Sequence, residues 1–359
     1  GELCMNGHKF AADRINAKGG IKSLGGAQLE FVVADAESKP QVAMSAVEKL
    51  ITKDKVAAIM GPFSSGLSFA ATQSAEKHKT PIIIPIAVAD KITERGFKYT
   101  FRCSMKASQN ARDSLNFLKW LGEKTGKKPK TVALLTEDTL WGQSSAKAWK
   151  AMVPEYGYKI VAELSYSKTT QDVSPTIAKL KAAKPDVVLQ ISYTPDAILI
   201  TRTMFDQNFN CMGRLPSGGG HTDPRFVKAL GKMVNYIMIN RLYDPSIKGP
   251  GDKNQRINTE YKKKHGYDMD DYSGPAYDAT WVLADALERA KSTDRDKVRD
   301  ALATTNIKFE ISETLRPFTY KFDKSGQAPA ETVFAQYQDQ KSVFIYPEKY
   351  SAGKPVWPM

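Results

Sequence analysis

Residues 59–88, IMGPFSSGLSFAATQSAEKHKTPIIIPIAV, are the stretch that most restricts what this chain can fold into. Two short apolar runs, VAAIM before it and PIIIPI at its end, are joined by one segment of helical period that begins at Ser64-Ser65. The runs are continuous rather than alternating, which is the pattern of strands buried on both faces in a parallel sheet covered by helices. A buried strand followed by Gly-Pro and two serines brings free backbone N–H groups and hydroxyls to a helix N-terminus, where unpaired amides and the macrodipole favour an anion such as a carboxylate. Serines in this position are also ordinary helix caps, so the local pattern leaves capping and ligand binding both open.

The same alternation runs through the first half of the chain. Leu3, Phe10, Ala11 and Ile15 fall at near-helical spacing, and Gly19-Gly20 ends that helix. Leu29–Ala34 (LEFVVA) reads as a strand entering Asp35, Gln41–Thr52 as an amphipathic helix, and Val56–Met60 and Ile82–Ile84 as strands. After Tyr99–Arg102 the pattern restarts. Helices are predicted near 107–123, 142–153, 173–183 and 196–206, and strands at 131–135, 159–164, 186–191 and 236–240. Ligands on such sheets bind outside the carboxyl ends of strands; GPFSS and the PIAVAD turn lie there in the first unit, and loops carrying Trp141, Tyr193 and Ser217 lie there in the second. From Lys253 the chain turns helical, with Tyr272–Ala290 the longest helical pattern and Asp294–Thr304 another. The tail then reads as three strands, FTYKFD, TVFAQYQ and SVFIYP, divided by turns at KSG and DQK.

At 359 residues, two domains are expected. No apolar run approaches the roughly 20 residues of a membrane helix, and GELCMNGHKF lacks a signal-peptide layout, so any targeting segment is expected to have been removed or never present. A formal charge of +13 raises the question of nucleic acid. The lysines are scattered, however, and the clusters at Lys127-Lys128-Pro129-Lys130 and Lys262–Lys264 have no interleaved aromatics for base stacking; no nucleic-acid partner is expected. Three cysteines, Cys4, Cys103 and Cys211, show no CxxC spacing, which argues against a zinc site or a full disulfide framework and leaves one bridge open.

Catalytic chemistry finds no support. His8, His78, His221 and His265 are far apart without metal-ligand spacing, and there is no GxSxG or GxGxxG. Gly122–Lys128 imitates a phosphate-binding loop, but its glycine spacing is one short and Lys128 replaces Ser or Thr. Glu137 and Asp138 are read as a solvated loop pair. A non-enzymatic protein with no metal and no cofactor is expected.

Several motifs together carry a resemblance over nearly the whole chain: RINAKGGI at 14–21, GPFSSG at 61–66, PIIIPIAVADKITERGFKYTFR at 81–102, LWGQS at 140–144 and AYDATWVLADAL at 276–287. In combination they are similar to the periplasmic branched-chain amino acid binding protein family, the type I solute receptors of ABC importers. The resemblance implies an α/β fold of two lobes, each a mainly parallel sheet flanked by helices, joined by three hinge crossings: about 1–105 with 243–315, and 106–242 with 316–359. It implies an extracytoplasmic, periplasmic or lipid-anchored receptor that delivers a small molecule to a membrane permease; a ligand-sensing regulator shares the fold and is the competing class. Family members begin with a strand and a pocket loop before the helix at which this sequence opens, so the chain is expected to continue upstream of Gly1.

Carried over by position, the resemblance implies that Ser65, with Ser64 beside it, offers hydroxyl and backbone N–H to a ligand carboxylate. Ile86, Ala87 and Val88 form the turn meeting the ligand's polar end; a hydroxyl residue often stands at the position of Val88. Trp141 and Tyr193 match aromatics that close over the ligand, with ordinary interlobe packing as the lesser alternative. Ser217 stands where amino-acid receptors place a carboxylate for the ammonium. An unpaired buried ammonium is costly, so the expected ligand is a small carboxylate with an apolar or aromatic body. A branched-chain or other aliphatic amino acid is the alternative if an acid such as Asp138 or Asp223 reaches the ligand.

Overall fold

The computed structural model describes residues 1–247, 249–330 and 332–359, which form two compact units: Gly1–Met105 with Ile247–Glu331, and Lys106–Ser246 with Thr332–Met359. The chain therefore passes from one unit to the other three times.

The first pass through unit 1 contains α1 (Glu2–Ala17), α2 (Pro40–Thr52), β1 (Ile59–Met60), α3 (Ser65–Lys77), β2 (Ile82–Ile84) and β3 (Thr100–Arg102). The strands form a parallel sheet in the order β1-β2-β3, with Ile59 opposite Ile82 and Ile83 opposite Phe101. All three isoleucines of β2 are fully buried, as the unbroken PIIIPI run requires. The first pass through unit 2 adds α4 (Ala107–Thr125), β4 (Thr131–Glu137), α5 (Leu140–Met152), β5 (Lys159–Tyr166), α6 (Ser174–Ala183), β6 (Val187–Ile191), α7 (Thr194–Asp206), β7 (Gly213–Pro216), α8 (Pro224–Leu230) and β8 (Met238–Arg241). Back in unit 1 come α9 (Lys253–His265), α10 (Ser273–Ala290) and α11 (Arg295–Ala303), and unit 2 closes with β9 (Val333–Gln338) and β10 (Lys341–Tyr346). Unit 2 holds a parallel sheet ordered β5-β4-β6-β7 and an antiparallel sheet ordered β10-β9-β8.

Each unit has its own core. In unit 1, Ile15 and Ile21, Ile83 and Phe101 of the sheet, and Val282, Leu283 and Leu287 of α10 pack together. In unit 2, Leu115, Phe117 and Leu118 of α4, Val132 and Leu134 of β4 and Trp149 of α5 meet Phe334 of β9.

The structure departs from the sequence reading at several places. Leu29–Ala34 is not a strand: Val32 and Val33 are 51% and 57% exposed, and Leu29 bonds the Asn16 side-chain amide, at 3.0 and 2.8 Å, in place of a neighbouring strand. β-branched content gives a segment extended preference but not a neighbouring backbone, and a strand forms only against one. Val56–Met60 contracts to Ile59–Met60 for its ladder, and FTYKFD forms only an isolated bridge between Tyr320 and Ile307. Residues 316–331, expected in the second lobe, lie in unit 1, as do the residues from Ile247 rather than from 243. A buried clasp holds the 316–331 segment there: Arg316 pairs with Asp278 at 3.5 Å, Arg316 Nη2 donates to the Cys103 carbonyl at 2.5 Å, and the Tyr320 hydroxyl donates to Asp278 at 2.7 Å. All three cysteines are free thiols, their pKa pushed up by burial to about 12 at Cys4 and Cys103 and about 11 at Cys211.

Candidate ligand-binding surfaces

In unit 1 the expected residues converge at the N-terminus of α3. Ser64 is the cap, its Oγ accepting from Leu67 N at 3.5 Å, and Ser65 is the first helical residue, 3% exposed. The Ser65 Oγ accepts from Ala89 N at 3.2 Å, which ties the helix start to the Ile86–Ala89 turn and leaves the hydroxyl proton as a donor. The first amides of a helix have no intrahelical acceptor, so one hydroxyl and the leading N–H groups of α3 supply donors at the positive end of its dipole. Capping thus falls to Ser64, and Ser65 keeps its hydroxyl donor.

The turn itself hangs on Arg102, which is fully buried at the end of β3. Its Nη1 donates to the carbonyls of Ala89 at 2.7 Å and Ala87 at 3.4 Å, Nη2 to Thr93 Oγ1 at 2.9 Å, and Nε to Gln327 Oε1 at 2.6 Å. Ser104 Oγ adds a bond to the Ala87 carbonyl at 3.2 Å. Burial lowers the Arg102 pKa to about 10, well inside the charged range at neutral pH. Ile86 and Ala87 are buried and Val88 half-buried. Next to the two serines the half-buried Phe63 meets the buried Tyr272 edge to face, centroids 5.3 Å apart. Arg102, Phe63 and Tyr272 escape sequence reasoning: GPFSS contains Phe63, but Tyr272 lies more than 200 positions away and only the fold pairs them.

In unit 2 the expected residues gather at the carboxyl ends of β4, β6 and β7. Trp141 lies in the first turn of α5, Tyr193 is the N-cap of α7, and their rings pack edge to face with centroids 5.2 Å apart. The loop after Ser217 crosses this pair, and glycine is what permits it. Gly219 has φ +59°, and a Cβ there would stand 2.2 Å from the Trp141 ring and 2.6 Å from the Ser192 carbonyl; at Gly220 it would stand 2.3 Å from the Tyr193 backbone.

Ser217 is buried in a polar network. Its hydroxyl donates to Asn110 Oδ1 at 2.7 Å and accepts from Asn240 Nδ2 at 3.0 Å, while Asn240 also reaches Asn110 at 2.9 Å and Ser114 at 3.2 Å. The position is neutral, and its hydroxyl is engaged within the unit.

Glu137 corrects the expectation of a solvated loop pair. It is fully buried at the end of β4 and accepts from Gly142 N and Thr139 Oγ1, each at 2.8 Å, and from Thr139 N, thereby capping α5. Its neighbour Asp138 is exposed, its carboxylate accepting from Lys168 N at 3.2 Å and its backbone carbonyl from Gln143 Nε2 at 2.8 Å. Asp196, in the first turn of α7, accepts from Tyr193 N at 3.1 Å and the Tyr166 hydroxyl at 2.6 Å. Desolvation raises the carboxyl pKa of both Glu137 and Asp196. Asp223 caps α8 and is held by Arg225, Nε to Oδ1 at 2.9 Å, and by the Thr194 hydroxyl at 3.0 Å. Among the described residues no group of three or more His, Cys, Asp or Glu side chains could hold a metal ion.

Among known proteins, the "Leu/Ile/Val-binding protein homolog 7" of Brucella abortus (strain 2308) is 31% identical over 362 residues, covering 97% of this chain and 88% of that one. A leucine binding protein, LivK, from Thermotoga maritima superposes with a TM-score of 0.84 at 23% identity, covering 97% of this chain and 95% of its own. The solute binding protein of an ABC transporter from R. palustris, solved with benzoate, gives 0.82 at 20% identity over 96% and 90%. The family profile described as periplasmic binding protein matches residues 1–342. With nearly the full length accounted for, and with parallel sheets whose strand ends carry the gathered polar and aromatic groups, this chain belongs to the periplasmic binding protein family.

Proposed function

We propose that the protein is the extracytoplasmic receptor of an ABC importer. It binds a small carboxylate with an apolar or aromatic body and delivers it to a membrane permease, without chemistry of its own. The observation that carries this reading is the α3 N-terminus, where the Ser65 hydroxyl and the first helical amides stand beside a turn fixed by Arg102. In this reading Ser64, Ser65, Ile86, Ala87 and Val88 receive the carboxylate, joined by Phe63 and Tyr272. Trp141 and Tyr193 offer flat aromatic surface suited to the apolar body. Neutral Ser217, engaged by Asn110 and Asn240, supplies no counter-charge for an ammonium.

A second reading, a branched-chain amino acid receptor, is favoured by the name of the Brucella relative and by two buried carboxylates, Glu137 and Asp196, behind Tyr193. Benzoate, 4-hydroxybenzoate, leucine, isoleucine and the amides of each, screened by thermal shift, separate the readings, since a ligand of the folded state raises the apparent melting temperature by mass action. Stabilisation by aromatic acids supports the first reading; stabilisation by leucine or isoleucine alone supports the second. A response to amides equal to that of acids rejects both.

A further inference from the structure

Unit 2 contains a buried cation with no counter-charge. β7 alternates, so that a Cβ at Gly213 would meet Trp357 and Met238 while Arg214 points to the opposite face, toward α7. There Arg214 is 5% exposed and makes one hydrogen bond, Nη2 to Thr201 Oγ1 at 2.7 Å, while its buried Nε–H has no acceptor. The other buried arginines of the chain are compensated. Arg241 pairs with Asp244 at 2.7 Å, Arg316 pairs with Asp278 at 3.5 Å, and Arg102 is surrounded by acceptors within reach of the charges of Asp90, Glu94 and Asp323. Arg214 has no carboxylate within ion-pair distance among the described residues, and the one ionisable group favouring its charge is the Cys211 thiol, itself neutral at pH 7 because burial raises it to about 11.

A second orphan lies in the Gly219–Thr222 turn, which packs against α7 as Arg214 does. His221 is completely buried against Phe226, ring centroids 4.9 Å apart, and neither ring nitrogen completes a hydrogen bond, although the Gly218 backbone lies beside it. Burial, reinforced by the Arg214 charge, holds its pKa well below the usual imidazole range, so at neutral pH the ring is uncharged and carries one N–H. Leaving a buried charge uncompensated and buried donors unmade is strongly destabilising, and native interiors rarely tolerate both in one place.

We propose that Arg214 and His221 form an internal binding site for a small monovalent anion of the halide class, at the root of the Gly218–Thr222 loop. One such ion supplies the missing acceptor for Arg214 Nε–H and for a ring N–H of His221, and neutralises the guanidinium without introducing a titratable group. The loop it supports follows Ser217 directly and covers Trp141 and Tyr193, so the ion acts as a structural buttress and not as cargo.

The test uses the full chain without added solute, at constant sodium concentration and ionic strength, with gluconate exchanged stepwise for chloride or bromide. The wild type is expected to gain a saturating rise of about 2 °C or more in apparent melting temperature, and Arg214→Met is expected to lose it. An equal halide response in both proteins, or none in the wild type, overturns the proposal. If Arg214→Met does not fold, crystals of the wild type grown in bromide decide the matter. An anomalous peak at hydrogen-bonding distance from Arg214 Nε supports the site, and water or nothing at that position refutes it.

Discussion

Replacing Arg102 with Met tests whether the turn at residues 86–89 depends on one buried guanidinium. The methionine keeps most of the side-chain volume and removes every donor. Three short bonds are lost, to Gln327 Oε1, the Ala89 carbonyl and Thr93 Oγ1, at 2.6, 2.7 and 2.9 Å. Hydrogen bonds from a charged donor are worth about 1.5–3 kcal/mol each, or roughly 4.5–9 kcal/mol together. Against this, the variant no longer has to bury a cation; the fall in pKa from 12.5 to about 10 puts that relief at roughly 3 kcal/mol. The difference is a net loss of about 1.5–6 kcal/mol, confined to unit 1. Urea unfolding followed by circular dichroism measures it, and solute binding should weaken as the turn loosens. Arg102→Lys, which keeps the charge but cannot span acceptors on three sides, should fall between the variant and the wild type. A loss below about 1 kcal/mol for Arg102→Met would refute the assignment of the turn to this residue.

Three further outcomes follow from local geometry. His8 is buried, bonded to Thr280 Oγ1 at 2.9 Å, and desolvation holds its pKa near 4 against 6.5 unfolded; the unfolded chain takes up a proton that the folded chain refuses, so stability present above pH 6.5 is lost as pH falls toward 4, by up to roughly 3 kcal/mol. Unfolding free energies measured from pH 7 to 5 should show a slope that His8→Asn flattens, and an unchanged slope contradicts the burial of a neutral ring. Gly219→Ala, with φ +59° and a Cβ driven to 2.2 Å from Trp141, should cost about 2–4 kcal/mol in chemical denaturation and reduce solute affinity. Ser217→Ala should lower stability by about 1–2 kcal/mol through the Asn110 and Asn240 network, yet change solute affinity less than threefold by calorimetry.

The architecture was readable because continuous apolar runs and helical periods recur along the chain, and the β2 run, Ile82–Ile84, falls where the pattern places it. What failed were inferences that need a partner. LEFVVA has strand composition, but no strand lies against it among the described residues. β7 was missed for the opposite reason: GRLP breaks the apolar run with Gly213, Arg214 and Pro216, and it is a strand because Val188 and Leu189 pair with it. Reading Glu137 as solvated follows the general habit of adjacent acids in loops, whereas Thr139 N, Thr139 Oγ1 and the α5 amide Gly142 N give it three donors and so a reason to be buried. At the candidate site, the serines and aromatics are visible as motifs; Arg102, Phe63 and Tyr272 are not, because their placement arises from contacts between segments far apart in sequence.

Recognition of a carboxylate by Ser65 is the centre of the functional account, and calorimetry reads it directly. Wild type and Ser65→Ala are titrated with benzoate and leucine and with their uncharged counterparts, benzamide and leucinamide. One acid should bind and its amide should not, and Ser65→Ala should weaken that acid about 10- to 100-fold, the worth of one hydrogen bond to a charged group. An amide that binds as tightly as its acid, or an acid whose affinity is the same in Ser65→Ala, would contradict the account.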